Sequence, residues 1–116
     1  MSLTIKRIYE PAAPKDGFRI LIDRIWPRGL SKASASVDLW FKTLAPSTEL
    51  RQWFGHDPEK WVQFRQRYFA ELDGQAEAVD QVLKMAKRRR VTLLYGAKDT
   101  LHNNAVALME YLDRGV

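Results

Sequence analysis

Asp23, Arg24, Trp26, Pro27, Arg28 and Gly29 crowd together directly behind the apolar run Ile20-Leu21-Ile22. An ordinary turn needs the Pro and the Gly, but not a Trp between two Arg and an Asp. Asp23 and Arg24 can act as a carboxylate base beside an anion clamp, or as an ion pair tying a strand to a neighbouring loop. Arg28 can grip a phosphate with both arms of its fork, or pack along Trp26. A second cluster, Gly96-Ala97-Lys98-Asp99, is followed by His102 and Asn103. Backbone N–H groups at the mouth of a helix, with Lys98 beside them, suit an anion. Asp99 fits either a base or a helix N-cap, and His102 can shuttle a proton near neutral pH. The candidate catalytic groups are therefore Asp23, Asp99 and His102. The candidate ligand-binding groups are Arg24, Trp26, Arg28, Lys98 and Asn103.

These two clusters must be held by strands. Phe18 to Asp23 reads as a strand covered on both sides, as in a parallel sheet. Val91-Thr92-Leu93-Leu94-Tyr95 is short, apolar and β-branched at its start, and reads as another. Thr4 to Tyr9 supplies a third, closed by the Pro11, Pro14 and Asp16-Gly17 loop. Long helical connections between strands imply parallel pairing, and ligands of parallel sheets bind beyond the carboxyl ends of the strands. Asp23-Arg24 and Gly96 to Asp99 are those ends, so two clusters far apart in sequence are expected to meet. The expected architecture is one small α/β domain over residues 1–116, with a short, mainly parallel sheet flanked by helices.

The connections carry their own signals. Ser31 to Ser36 is small and polar and reads as irregular, and Val37 to Phe41 as a short turn of helix. Ser47 caps a helix in which Leu50, Trp53 and Phe54 share a face and Gly55 ends the run. Asp57-Pro58-Glu59 starts the next, with Asp57 as cap and Trp61, Phe64, Tyr68 and Leu72 along one side. Gln75 to Arg88 forms a third, ending in a basic run that suits a helix C-terminus. A last helix spans about Thr100 to Asp113, with His102 and Asn103 in its first turn. His56 and Asp57 offer at most two metal ligands, short of a catalytic zinc set, so no metal is assigned.

The composition narrows the function classes. There is no cysteine, which excludes disulfides and thiol nucleophiles. Neither a leader-length nor a membrane-length apolar run occurs, so the expected setting is the cytoplasm, without membrane partners. The net charge of +5 and pI near 9.7 fit an anionic partner. Neither a Walker loop nor a dinucleotide fingerprint is present, and no cofactor is assigned.

The segments ILIDRIWPRGL, LAPSTELRQWFGHDPEKW, FRQRYFAEL and VTLLYGAKDTLHNNAVAL resemble domain-of-unknown-function family 488, in its short YeaO-like branch. The resemblance covers nearly the whole chain and implies a small α/β fold. It implies no particular activity. Longer members resemble this chain around the last strand but carry Cys where Tyr95 and Asn103 stand, and His where Asn104 stands.

These observations point to an enzyme or ligand-binding domain for a small anionic, nucleotide-like compound held at the strand ends. The alternative is a nucleic-acid-binding module using the basic surface around Arg88-Arg89-Arg90. The two readings differ in whether the basic residues converge on a hollow or spread along a face.

Overall fold

The run Val91-Thr92-Leu93-Leu94-Tyr95 has little polarity on either face, and the fold uses it as a central strand, β4 (Val91–Tyr95), buried along its whole length. The computed structural model describes residues 2–114. In it, β1 (Leu3–Arg7) and β2 (Phe18–Leu21) flank β4, and β3 (Leu39–Trp40) lies outside β2. Every pairing is parallel, with Ile5 beside Leu93 and Leu93 beside Ile20. A strand with neighbours on both sides and both faces covered is mainly apolar, and the one buried threonine of β4, Thr92, donates its hydroxyl to the Asp16 carbonyl.

One face of the sheet carries the main core. Ile20, Ile22, Val91, Leu93 and Tyr95 pack there against Leu50, Phe64, Tyr68, Leu72, Val82 and Leu108 of the helices. Those helices are α2 (Thr48–Phe54), α3 (Trp61–Asp73), α4 (Ala76–Arg88) and α5 (Asn104–Arg114), numbered after the short α1 (Lys32–Ala35). The opposite face has a thinner cover. Ile8, Leu21 and Leu94 meet Ala35, with Trp26, Leu30, Val37 and Trp40 around them.

Local signals placed several boundaries well. Ser47 accepts the Leu50 amide, and Gly55 ends α2 in a left-handed conformation. Asp57 accepts the Glu59 amide at 3.0 Å, although the turn it caps, Pro58–Lys60, is 3-10 before α3 begins at Trp61. Three expectations need correction. Val37 to Phe41 is not a helical turn: Asp38 and Phe41 donate their amides to Arg19 and Leu21, so this stretch completes the open edge of β2. Ser31 to Ser36 is not irregular, since Ser31 accepts the Ser34 amide and starts α1. The last helix begins at Asn104 rather than Thr100, because Asp99 takes the Leu101 and His102 amides into a separate turn.

The amino end of the sheet is closed. Gly17 has φ +66°, and a Cβ there would come within 2.3 Å of the Arg90 carbonyl oxygen. Only glycine lets the chain enter β2 so close to the end of α4. Arg88, Arg89 and Arg90 are exposed at this amino end, as their place before β4 implied.

Candidate functional site

β2 and β4 are adjacent and parallel, so the residues that follow them meet at the carboxyl end of the sheet. Asp23 is where they join. One carboxylate oxygen accepts the Gly96 amide at 2.9 Å, and the other accepts Asn104 Nδ2 at 3.0 Å. The same Asn104 amide also donates to the Ile22 carbonyl, fixing α5 to the end of β2. Gly96 is small for a reason: a Cβ there would stand 3.0 Å from the Asp23 carboxylate. Burial pushes the Asp23 carboxyl above the ordinary aspartate value. The Asn104 and Gly96 hydrogen bonds, and the more distant charges of His56 and Arg51, only partly offset it.

Around Asp23 opens a cavity of about 600 Å³. Phe54 and Phe64, stacked at 4.3 Å between ring centres, form part of its apolar wall. Arg24, Arg51 and Lys98 bring positive charge to it, Asp23 and Asp99 are its acids, and the His56 ring also lines it. Among the described residues, Arg24, Arg51 and Lys98 form no ion pair. Arg24 is partly engaged, donating from Nε to the Pro46 carbonyl at 3.0 Å and from a terminal nitrogen to Ala45 at 3.4 Å. Those bonds anchor the chain ahead of α2. His56 reaches the cavity from a left-handed backbone, φ +59°, directly after Gly55.

Asp99 faces the cavity but is also a structural group. The Leu101 amide, then the His102 side chain and amide, hold its carboxyl below the ordinary aspartate value. This carboxylate occupies backbone N–H groups that the sequence reading offered to an external anion. Asn103, not Asp99, caps α5: its Oδ1 accepts the Val106 amide at 3.0 Å and its Nδ2 donates to the Asp99 carbonyl.

Five of the eight candidate residues therefore share one cavity wall: Asp23, Arg24, Lys98, Asp99 and Asn103. Three are placed elsewhere. Trp26 packs edge-on to Trp40 at 5.2 Å on the thinner face and donates Nε1 to the Leu30 carbonyl. Arg28 is exposed, and its backbone carbonyl accepts the Tyr9 hydroxyl. His102 pairs with Asp99 at 2.9 Å and sets its ring edge-on to Trp61, outside the cavity lining. Arg51, His56 and Asn104 line the cavity without having been singled out as site residues. Arg51 gave a faint signal, as a charge just off the Leu50, Trp53 and Phe54 stripe. Asn104 gave none beyond its neighbour Asn103. Among the described residues, no three His, Cys, Asp or Glu side chains gather as a metal set would require.

Residues 2–116 match the family described as the inactive DUF488-N3 subclade. The chain is 42% identical to the uncharacterised protein YeaO of Escherichia coli K12 over 112 residues, covering 97% of each chain. It is 38% identical to the uncharacterised protein Rv3073c of Mycobacterium tuberculosis H37Rv over 109 residues, covering 94% of this chain and 92% of that one. An uncharacterised Mycobacterium bovis protein, Mb3100c, matches to the same extent. No solved structure matches the chain. Among the described residues, no helix is long and apolar enough to cross a membrane.

Proposed function

The chain belongs to the inactive DUF488-N3 subclade, and from that premise we propose that its carboxyl-end cavity binds a small anionic compound without transforming it. One observation carries this reading. An apolar-walled cavity of about 600 Å³ is served by Arg24, Arg51 and Lys98, three basic side chains without an ion-pair partner among the described residues. That volume lies within the roughly 300–1,000 Å³ of ordinary small-molecule sites. Its two acids, Asp23 and Asp99, are outnumbered by the three cations, so they neutralise them only in part.

Binding is favoured over turnover for two reasons. The family's own description is inactive, and the chain has no cysteine. The resemblance to longer relatives places Cys and His at Tyr95, Asn103 and Asn104. Here Asn103 serves as a helix cap and Asn104 as the brace of Asp23. Side chains committed to structure in this way hold a site open but supply no nucleophile.

Pyrophosphate serves as the first probe, followed by NMR of the backbone amides. Saturable shifts at Gly96, Lys98 and neighbouring amides are expected, and Arg51→Ala with Lys98→Ala should remove them. Replacing Arg88, Arg89 and Arg90 together with Ser should leave them intact, because those residues stand at the other end of the sheet. A nucleic-acid module behaves in the reverse way. Duplex binding at physiological salt, lost in the triple variant with a salt slope lowered by about 0.9 per lost phosphate contact, would overturn the small-molecule reading.

A further inference from the structure

Asp23 sits in the cavity wall with an unusual balance of partners. Its two oxygens accept one hydrogen bond each, from Gly96 N and Asn104 Nδ2, and both donors are neutral. No Lys or Arg nitrogen comes within ion-pair distance of it among the described residues. An ionised carboxylate offers about four lone-pair positions, so about one remains on each oxygen. Asp23 is half-buried and lines the cavity, so its free acceptor positions are met there by water or by the donors of a ligand. Elsewhere in this molecule the fold avoids that situation. Asp16, equally close to β2, receives the Ala13 amide, Lys6 and Arg19.

One free acceptor position on each oxygen of a planar carboxylate can take two parallel N–H donors from one planar group. A single ammonium would fill one position well and the second poorly. Phe54 and Phe64, buried in the core, contribute apolar wall beside Asp23. The cations Arg51 and Lys98 belong to the same cavity and call for negative charge on the same ligand.

We infer that Asp23 reads a planar N–C–N edge carrying two N–H donors side by side, on a ligand whose anionic group is held by Arg51 and Lys98. This rests on the anion-binding reading above and gives its ligand a second, donor-bearing end. The same edge chemistry occurs on a guanine nucleotide, on an aminated pterin carboxylate and on a guanidino acid.

Calorimetric titration of the intact chain separates these sources and tests the edge. The probes are guanosine 5′-monophosphate, 6-carboxypterin, L-arginine, inosine 5′-monophosphate and pyrophosphate. Inosine monophosphate keeps the phosphate and the ring N–H but lacks the exocyclic amine. At least one of the first three should bind more tightly than pyrophosphate. If the guanine nucleotide is that one, it should exceed inosine monophosphate by about tenfold or more, because a carboxylate position left unfilled is penalised. Asp23→Asn places a donor where an acceptor stood and should remove the preference among the probes. The wild-type comparison of probes needs no variant, so the inference stays testable even where D23N folds poorly. Pyrophosphate binding without preference for any two-donor probe overturns the inference and spares the anion site. Failure of every probe, pyrophosphate included, overturns both.

Discussion

Asp16 stands two residues before β2 and Asp23 two residues after it, and the fold surrounds them differently. Asp16 sits at the closed end. Arg19 Nη1 lies 2.6 Å and Lys6 Nζ 3.1 Å from its carboxylate, and the Asp16 and Arg19 side chains are each only 5% exposed. Arg19 also donates to the Ser36 and Ala35 carbonyls, and Thr92 donates to the Asp16 carbonyl, so the polar group is satisfied throughout. Burial alone would push the Asp16 carboxyl up, but the Ala13 amide, Lys6 and Arg19 outweigh it and hold it below the ordinary value. Asp23, at the open end, has neutral donors only and remains above that value. A complete set of partners marks a group that serves the fold. An incomplete set beside a cavity is the feature on which the proposed binding role of Asp23 rests.

The largest expected effect lies at the closed end. Asp16→Ala strands Arg19 and Lys6 beside an apolar layer and should cost about 3–5 kcal/mol in urea unfolding, the usual result of breaking a buried pair from one side. A loss under about 1 kcal/mol would mean that this network is no more than a surface contact, and the contrast with Asp23 would lose its basis.

Asp23→Ala should cost less, about 1–2 kcal/mol, since the Gly96 and Asn104 donors it frees can turn to water in the cavity. Should the cost match that of Asp16→Ala, both ends are structural and the binding reading is weakened. Asp57 supplies a local reference, since it caps one turn and lies outside the cavity lining. Asp57→Ala should cost about 1 kcal/mol while leaving pyrophosphate binding unchanged. Unchanged unfolding together with lost binding would identify Asp57 as a functional group instead.

The finest test is the pH dependence of stability. Asp16 has a lowered folded value, so its contribution is complete above the unfolded value near pH 4 and disappears as pH falls through the lowered one. Asp23 has a raised folded value, so the folded state favours its protonated form. Its ionisation costs stability as pH rises from about 4 through the raised value. The two slopes are opposite. Asp23→Asn removes the opposing one, so just above pH 4 its unfolding free energy should fall more steeply on acidification than that of the wild type. An identical slope in the two proteins would show that Asp23 is not perturbed by the fold.

Much of this molecule was legible from short-range patterns. The strands at Phe18 and Val91, the Ser47 and Asp57 caps, and the aromatic side of α3 all depend on residues within about four positions of each other. The parallel sheet and the meeting of Asp23 with the Gly96 turn followed from the order of those elements. Other features depended on partners distant in the chain. Leu39–Trp40 is a strand because β2 has an open edge there, and nothing in Val37 to Phe41 records that edge. Trp26 and Arg28 left the cavity, and Arg51, His56 and Asn104 joined it. A side chain near a strand end or in a turn takes its direction from what packs against it. For Asn104 that is Asp23, 81 residues away in sequence. The sequence by itself therefore determined most of the elements, several of their caps and the end of the sheet where Asp23 and the Gly96 turn meet. Only the tertiary structure decided which side chains line the cavity there, because long-range contacts set their directions.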